Sequence, residues 1–274
     1  MAVQRPIGRR SPARVLVVAL LAAWVAAAAG AGPAAAATRP LVVSHGPHDR
    51  RVVALTIDDC WNSATVLEMV AMLQREQVNA TFLPVGRAVA AYPKVWKAVA
   101  DAGFPIANHT YSHAYLTRQS VDWIVADIRK NAALILRVTG KPMVPILRPP
   151  MGEWGSAAYR AASITNQKAL VLWDTSFNDT GRGTSEEYAT AGEKGDAGSI
   201  ILLHANRMKS AVALELAIKW YRDRDFGFVT LPELLGIDDA MPYPAFRPKP
   251  PPPDLEVTPP APLPARPCAC FAWA

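Results

Sequence analysis

Short β-branched or apolar runs alternate along the middle of this chain with stretches whose apolar residues recur every three or four positions. The runs predict strands at residues 52–58, 80–86, 104–108, 145–148, 169–175, 199–204 and 227–231. Between them, Val66, Met69, Val70 and Leu73 share one face of a helix predicted over 63–76. A second helix, over 120–138, carries Ile124, Ile128, Ile135 and Leu136, opens on the capping residue Ser120 and closes at Gly140. Strands that alternate with helices predict an α/β domain with a parallel sheet, open or closed into a barrel. There is no internal repeat.

The two ends follow different rules. Arg5, Arg9, Arg10 and Arg14 precede an apolar run over 15–29, which gives way to Gly30, Gly32, Pro33 and four alanines. That order reads as a secretory signal peptide over 1–37, and export follows from it. A membrane helix is the alternative reading, although Gly and Pro interrupt the run before a full span is reached. Once a signal is removed no stable span is expected. At the other end, 12 of the 25 prolines fall between Pro242 and Pro267, so 241–274 reads as an extended, disordered tail. Residues 41–240 are left as one domain with a sizeable core.

Charge narrows the partners. The formal net charge of +6 falls to a near balance of 25 basic and 23 acidic residues once the four arginines of 1–37 are set aside, so no nucleic-acid partner is inferred. Cys60, Cys268 and Cys270 form neither a disulfide framework nor a zinc ribbon.

Polar residues capable of chemistry gather at the strand ends. Asp58-Asp59, His109, Arg148, Asp174 and His204 each sit at or just beyond the C-terminal end of a predicted strand, the edge where parallel α/β folds assemble their sites. The adjacent carboxylates Asp58 and Asp59 raise each other's pKa unless a cation balances them. His109 and His113 are separated by three residues, so one helical turn would aim both imidazoles the same way, and two histidines with one carboxylate make an open metal site. Taken singly, these features also fit a helix N-terminus, a surface histidine pair and a rigid Pro-Pro turn.

In order, TIDD (56–59), NHTYSH (108–113), LRPPMG (147–152), WDTSFND (173–179) and IILLH (200–204) resemble the motif set of the polysaccharide deacetylases, the NodB-homology or carbohydrate esterase family 4 domain. ATFLPVG (80–86) and GFPIANHTYSHAYL (103–116) extend the resemblance, which spans about 52–235. It implies a distorted (β/α) barrel of about seven parallel strands that binds one divalent metal ion, most often zinc, with cobalt or manganese as substitutes. It also implies hydrolysis of an N- or O-acetyl group on a polysaccharide. Matched by position, Asp59, His109 and His113 become the metal ligands, Asp58 the base, Arg148 the group that orients it, and His204 the acid. Asp179 becomes the partner of His204, with Asp174 a second possibility. The Met151 main chain, after Pro150, would meet the carbonyl oxygen, and Leu202 would belong to the substrate pocket; Trp61, Tyr111, Tyr115 and Trp154 are candidates to stack on sugar rings, of which Trp61 and Trp154 flank the motifs most closely.

The expected substrate is N-acetylglucosamine in peptidoglycan or chitin-type oligomers. Acetylated xylan and a non-catalytic wall-binding role are the alternatives, and a secreted or wall-associated monomer is expected. Three positions depart from the family pattern. Cys60 replaces a Gly, Met151 an aromatic residue, and Thr180 a Trp. A Cys60 thiolate on the metal is the sharper reading of the first; a small residue at a tight turn is the plainer one.

Overall fold

The computed structural model describes Met1 and residues 39–237; the expected leader, the proline-rich tail, Cys268 and Cys270 lie outside the described residues. The described strands are β1 (Leu41–Val43), β2 (Val52–Asp59), β3 (Thr81–Pro84), β4 (Ile146–Leu147), β5 (Ala169–Val171), β6 (Thr175–Ser176), β7 (Ile200–His204) and β8 (Gly227–Val229). The α-helices are α1 (Ser63–Arg75), α2 (Gly86–Ala91), α3 (Pro93–Asp101), α4 (Val121–Thr139), α5 (Ser156–Ile164), α6 (Ser185–Gly192), α7 (Met208–Arg222) and α8 (Leu231–Leu234). No helix among the described residues is long and apolar enough to cross a membrane.

Strand β2 runs through the centre. It pairs in parallel with β3 and with β7, and its first residues pair with β8. On the far side of β7 lies β6, while β1, β5 and β4 form a second parallel sheet. Parallel bridges from Phe82 to Ile106 and from Asn108 to Leu147 join β3 to β4. Because β5 and β6 belong to one stretch of chain, the circuit β2, β3, 106–108, β4, β5–β6, β7 closes on itself as a distorted barrel.

Side-chain alternation divides the core. Ala54, Leu83, Ala107, Ile146, Ala169, Val171 and Ile200 meet in one apolar cluster with α8, while the intervening Leu55, Ile57, Phe82, Ile201 and Leu203 join residues of α1, α3 and α7 in another, the outer core. Both faces of β2 are therefore covered, which is why its sequence is a continuous apolar run before Asp58. The helices end where the sequence placed them, within a residue. Asn62 caps α1 by accepting from Thr65 N–H, Ser120 caps α4, and Gly140 closes α4 in the left-handed region at φ 71°.

Most predicted strands are trimmed at their ends, and two are interrupted. Residues 104–108 make only two bridges, because the segment changes partner halfway: Ala107 N–H bonds Phe82 O, whereas Asn108 N–H bonds Ile146 O. The strand predicted at 169–175 is broken at 172–174. There Leu172 O accepts from Arg148 Nη2, and the Asp174 carboxylate binds Ser199 Oγ and Ile200 N–H. Strand β1, with Leu41 and Val42 exposed, was not anticipated.

Candidate active site

The end of β2 opens into the barrel mouth, and its two carboxylates face different partners. Asp58 Oδ1 accepts from Arg148 Nη1 at 2.8 Å, and the same nitrogen donates to Thr56 Oγ1 at 2.7 Å. Arg148 is fully buried, so Asp58 supplies the opposite charge that such a guanidinium needs. Asp59 adopts φ 60° and turns towards the histidines, where its Oδ1 lies 3.4 Å from His109 Nε2 and 3.1 Å from His113 Nε2. Its Oδ2 accepts from Asn206 Nδ2 at 3.0 Å.

The Asp59, His109 and His113 donors fit a divalent ion. Asp59 Oδ1 is buried without a well-formed hydrogen bond, and His109 Nδ1 lies 2.8 Å from Arg148 O, an acceptor only, so it carries the proton and leaves Nε2 as a lone pair facing the carboxylate. Tetrahedral ligands about 2.0 Å from zinc stand about 3.3 Å apart, close to the 3.4 and 3.1 Å between Asp59 Oδ1 and the two imidazole nitrogens. Burial resists ionisation of Asp59, yet His109 and His113 outweigh it and hold the carboxyl well below its usual range. Burial also opposes protonation of His109, and Asp58 and Asp59 reverse that, raising its pKa.

The two histidines do not lie on a helical turn. Segment 108–113 is an irregular loop with Thr110 and His113 at φ 62° and 58°. Its amides are served by side chains instead: Asp127 Oδ2 accepts from Tyr111 N–H and Ser112 N–H, Asn108 Oδ1 from Thr110 N–H, and Thr110 Oγ1 from His113 N–H. Asn131 Nδ2 ties the loop to Pro84 O and Thr110 O.

Opposite Asp58, in register on β7, stands His204. Directly paired residues share a face, so both point to the same side of the sheet. His204 Nδ1 lies 2.8 Å from Asp179 Oδ1, and Asp179 Oδ2 accepts from His204 N–H and Ser210 Oγ. Asp174 is occupied at the start of β7 and is not the partner. Burial pushes the His204 pKa down, but Asp179 with Asp59 and Asp58 raises it to about 9.

The Pro-Pro turn follows Arg148. Gly152 N–H and Glu153 N–H close it onto Pro149 O and Pro150 O, leaving the amide of Met151, at φ 57°, outside the turn's own bonds. Pro150 is buried, and the Met151 and Trp154 side chains are exposed. Trp173 packs against Gly152, where a Cβ would come within 2.8 Å of the indole. Leu202 is buried two residues before His204 on the same face, and Trp61 N–H donates to Asn206 Oδ1. Tyr111 departs from its expected role: its ring packs against the outer core and Gly86, under Lys130 Nζ at 3.7 Å. Tyr115 is covered by Arg118. Cys60 is buried with its thiol directed at Ile57 O and Asp58 O and does not join the group of Asp59, His109 and His113, a placement that fits a small residue at a tight turn.

Thr56, Asp127, Ser210 and Asn206 are the site residues that sequence reasoning missed. Only Asn206 left a signal, two positions after His204; Asp127 sits on a helix face and looks like solvent-facing charge until the loop folds over it.

Residues 45–169 match the Polysaccharide deacetylase family. Among characterised relatives, a peptidoglycan-N-acetylglucosamine deacetylase of Bacillus cereus is 30% identical over 69% of this chain and 70% of its own length. The peptidoglycan-N-acetylmuramic acid deacetylase PdaA of Bacillus subtilis is 25% identical over 69% of this chain and 73% of its own. The crystal structure of a peptidoglycan N-acetylglucosamine deacetylase in complex with 4-naphthalen-1-yl-N-oxidanyl-benzamide matches with a TM-score of 0.68 at 27% identity, over 72% of this chain and 94% of that one. Wild-type BA3943 of Bacillus anthracis, a CE4 family pseudoenzyme, shares the fold at a TM-score of 0.68 and 23% identity, over 72% of this chain and 70% of that one. With a parallel barrel and a sequence related to such enzymes over two thirds of its length, this chain belongs to the polysaccharide deacetylase family.

Proposed function

We propose that the protein is an exported, metal-dependent hydrolase that removes acetyl groups from N-acetylated sugars of peptidoglycan or chitin-type polymers. The observation that carries this reading is the buried Asp59 Oδ1, without a hydrogen bond and facing two imidazole nitrogens, beside an Arg-held Asp58 that stands in register with His204. Peptidoglycan deacetylation by the Bacillus relatives supports the substrate class, and the leader-like residues 1–37 support export.

Asp59, His109 and His113 would hold the ion, which when bound would lower the pKa of water from 15.7 to about 7 and polarise the acetyl carbonyl. Asp58 takes the proton from the attacking water. Its ionised, oriented state is maintained by the 2.8 Å contact with Arg148. The main-chain N–H of Met151 donates to the carbonyl oxygen as negative charge develops there. His204, held protonated by Asp179, gives its proton to the departing sugar nitrogen, and acetate and a free amine result. Asn206 braces the outer oxygen of Asp59.

The test is acetate release by the purified chain from N-acetylglucosamine oligomers, peptidoglycan fragments and acetylated xylan, with chelator and with added zinc, cobalt or manganese. An Asp58→Asn variant is run alongside. Metal-dependent release from the amide substrates, lost in the variant, is expected. Release from xylan alone would make the enzyme an esterase, and none from any polymer with the ion still bound would make it a wall-binding member of the family.

A further inference from the structure

Outside the mouth of the barrel, one further group of side chains among the described residues brings metal-ligand atoms together: His45, His48 and Asp196. The two histidines lie on the loop after β1, and Asp196 precedes β7. The loop is fixed in place. Gly46 N–H bonds Gly198 O at 2.8 Å, His45 bridges to Ser199, and at Gly198 (φ 94°) a Cβ would stand 2.3 Å from Pro47 O.

Within it, His45 Nδ1 lies 2.6 Å from Gly46 O, an acceptor only, so Nδ1 carries the hydrogen. The remaining nitrogen, Nε2, faces Asp196 Oδ1 at 2.9 Å. A lone pair does not face a carboxylate oxygen at that distance unless a cation, a proton or a metal ion, is shared between them. His109 and Asp59 show the same arrangement, with the far nitrogen anchored on a main-chain oxygen. His48 stacks on His45 with ring centroids 4.2 Å apart, which two protonated imidazoles would resist. Asp196 Oδ1 also accepts from Ser199 Oγ at 3.1 Å. The three residues line one end of a pocket of about 560 Å³, with Trp173, Asp174 and the opposing charge of Lys194 around it.

We propose that His45, His48 and Asp196 form a second divalent-cation site, for an imidazole-preferring ion such as zinc, nickel or copper. The pocket leaves room for water to complete the coordination shell. Asp196 opens by a few tenths of an ångström from its 2.9 Å contact to reach the roughly 3.3 Å spacing of zinc ligands, which its exposed position permits. The bound ion ties the loop after β1, in one sheet, to the segment that enters β7 in the other, and so clips the barrel at its seam.

The experiment is zinc content by mass spectrometry on zinc-loaded, desalted protein, with thermal midpoint measured in parallel. In an Asp59→Asn, His109→Ala background that disables the barrel-mouth site, one zinc ion per chain is expected to remain, and added zinc raises the midpoint. His48→Ala or Asp196→Asn in that background abolishes both effects. Should the double variant fail to fold, His48→Ala alone, at an exposed position, lowers the content of the otherwise unaltered chain from two ions to one. No zinc on the disabled background, or a content that neither His48→Ala nor Asp196→Asn changes, overturns the proposal and leaves a proton as the bridge between His45 and Asp196.

Discussion

Two groups of two histidines and one aspartate stand in this barrel, and their surroundings differ far more than their composition. Asp59, His109 and His113 are enclosed, with Asn206 and Arg148 O fixing the aspartate and one ring from behind. His45, His48 and Asp196 lie near the surface, and the Asp196 side chain is 71% exposed. In the first group the cost of desolvating the donors is met by fixed charges around them, and the backbone is bent to suit. Asp59, Cys60, Thr110, His113, Met151 and Asn178 all adopt left-handed φ values at or beside the site, a concentration of strain that only a well-packed frame sustains. Beside the second group the left-handed position is a glycine, Gly198, which carries no such strain. The two groups therefore differ in the backing of their donor atoms, not in the donors themselves.

The sharpest way to break this comparison is to remove the backing. Arg148→Met leaves Asp58 as a buried charge without its partner and strips Thr56 and Leu172 O of their donor, so a loss of about 3–5 kcal/mol in urea unfolding is expected. Asp196→Asn, at an exposed pair screened by water, should cost less than about 1 kcal/mol in metal-free protein. Equal losses would mean that the mouth of the barrel is no more preorganised than its surface.

Next in size is the chemistry. His109→Ala should empty the inner site and lower acetate release at least about 10²-fold, because the charge that stabilises the developing oxyanion goes with the ion. His48→Ala should leave release within about twofold, since His48 touches no group of the inner site. Metal content and acetate assays on the two variants check both halves.

How much of this was legible beforehand depends on whether the signal was local. The burial of β2 follows from its unbroken apolar run, and α4 from its periodicity and two caps, so both emerge from short stretches of chain. The ordered motifs likewise located Asp58, Asp59, His109, His113, Arg148, His204 and Asp179, which the fold brings into one mouth. Helical geometry for 109–113 failed because Asp127, on α4, satisfies the loop amides and lets the chain leave the helical region. The break at 172–174 depends on Arg148 reaching Leu172 O from just beyond β4, and the outer group joins residues 151 positions apart. Neither has a local signature.

Smaller again is the effect of unbalancing His204. Its folded pKa, raised to about 9 from an ordinary 6.5 by Asp179 with Asp59 and Asp58, means that the fold favours the protonated ring. That stabilisation is complete below about pH 6.5 and is lost as pH rises through about 9. Asp179→Asn keeps an acceptor near Nδ1 but removes the charge, so the basic limb of the acetate-release profile should move down by about 1–2 units. The stability gap between the variant and the unaltered chain should also narrow above pH 9. A basic limb that stays in place would assign that titration to another group.

The smallest expected effect lies at Cys60, beside the inner site, where local strain and local packing nearly cancel. Its φ of 65° costs a non-glycine residue about 1–2 kcal/mol, and Cys60→Gly relieves this. The substitution also gives up a side chain that is 1% exposed in the outer core and adds about 0.5–1 kcal/mol of unfolded-state entropy. A net change within about 1 kcal/mol is expected by urea unfolding, with acetate release retained. Burial, reinforced by the charges of Asp59 and Asp58, pushes the thiol pKa well above its usual range, so alkylation of Cys60 should be slow in the native protein and fast once it unfolds. Rapid native alkylation together with loss of acetate release in both Cys60→Gly and Cys60→Ala would place the thiol in the chemistry. It would also show that the inner site draws on a fourth donor, which the outer one lacks.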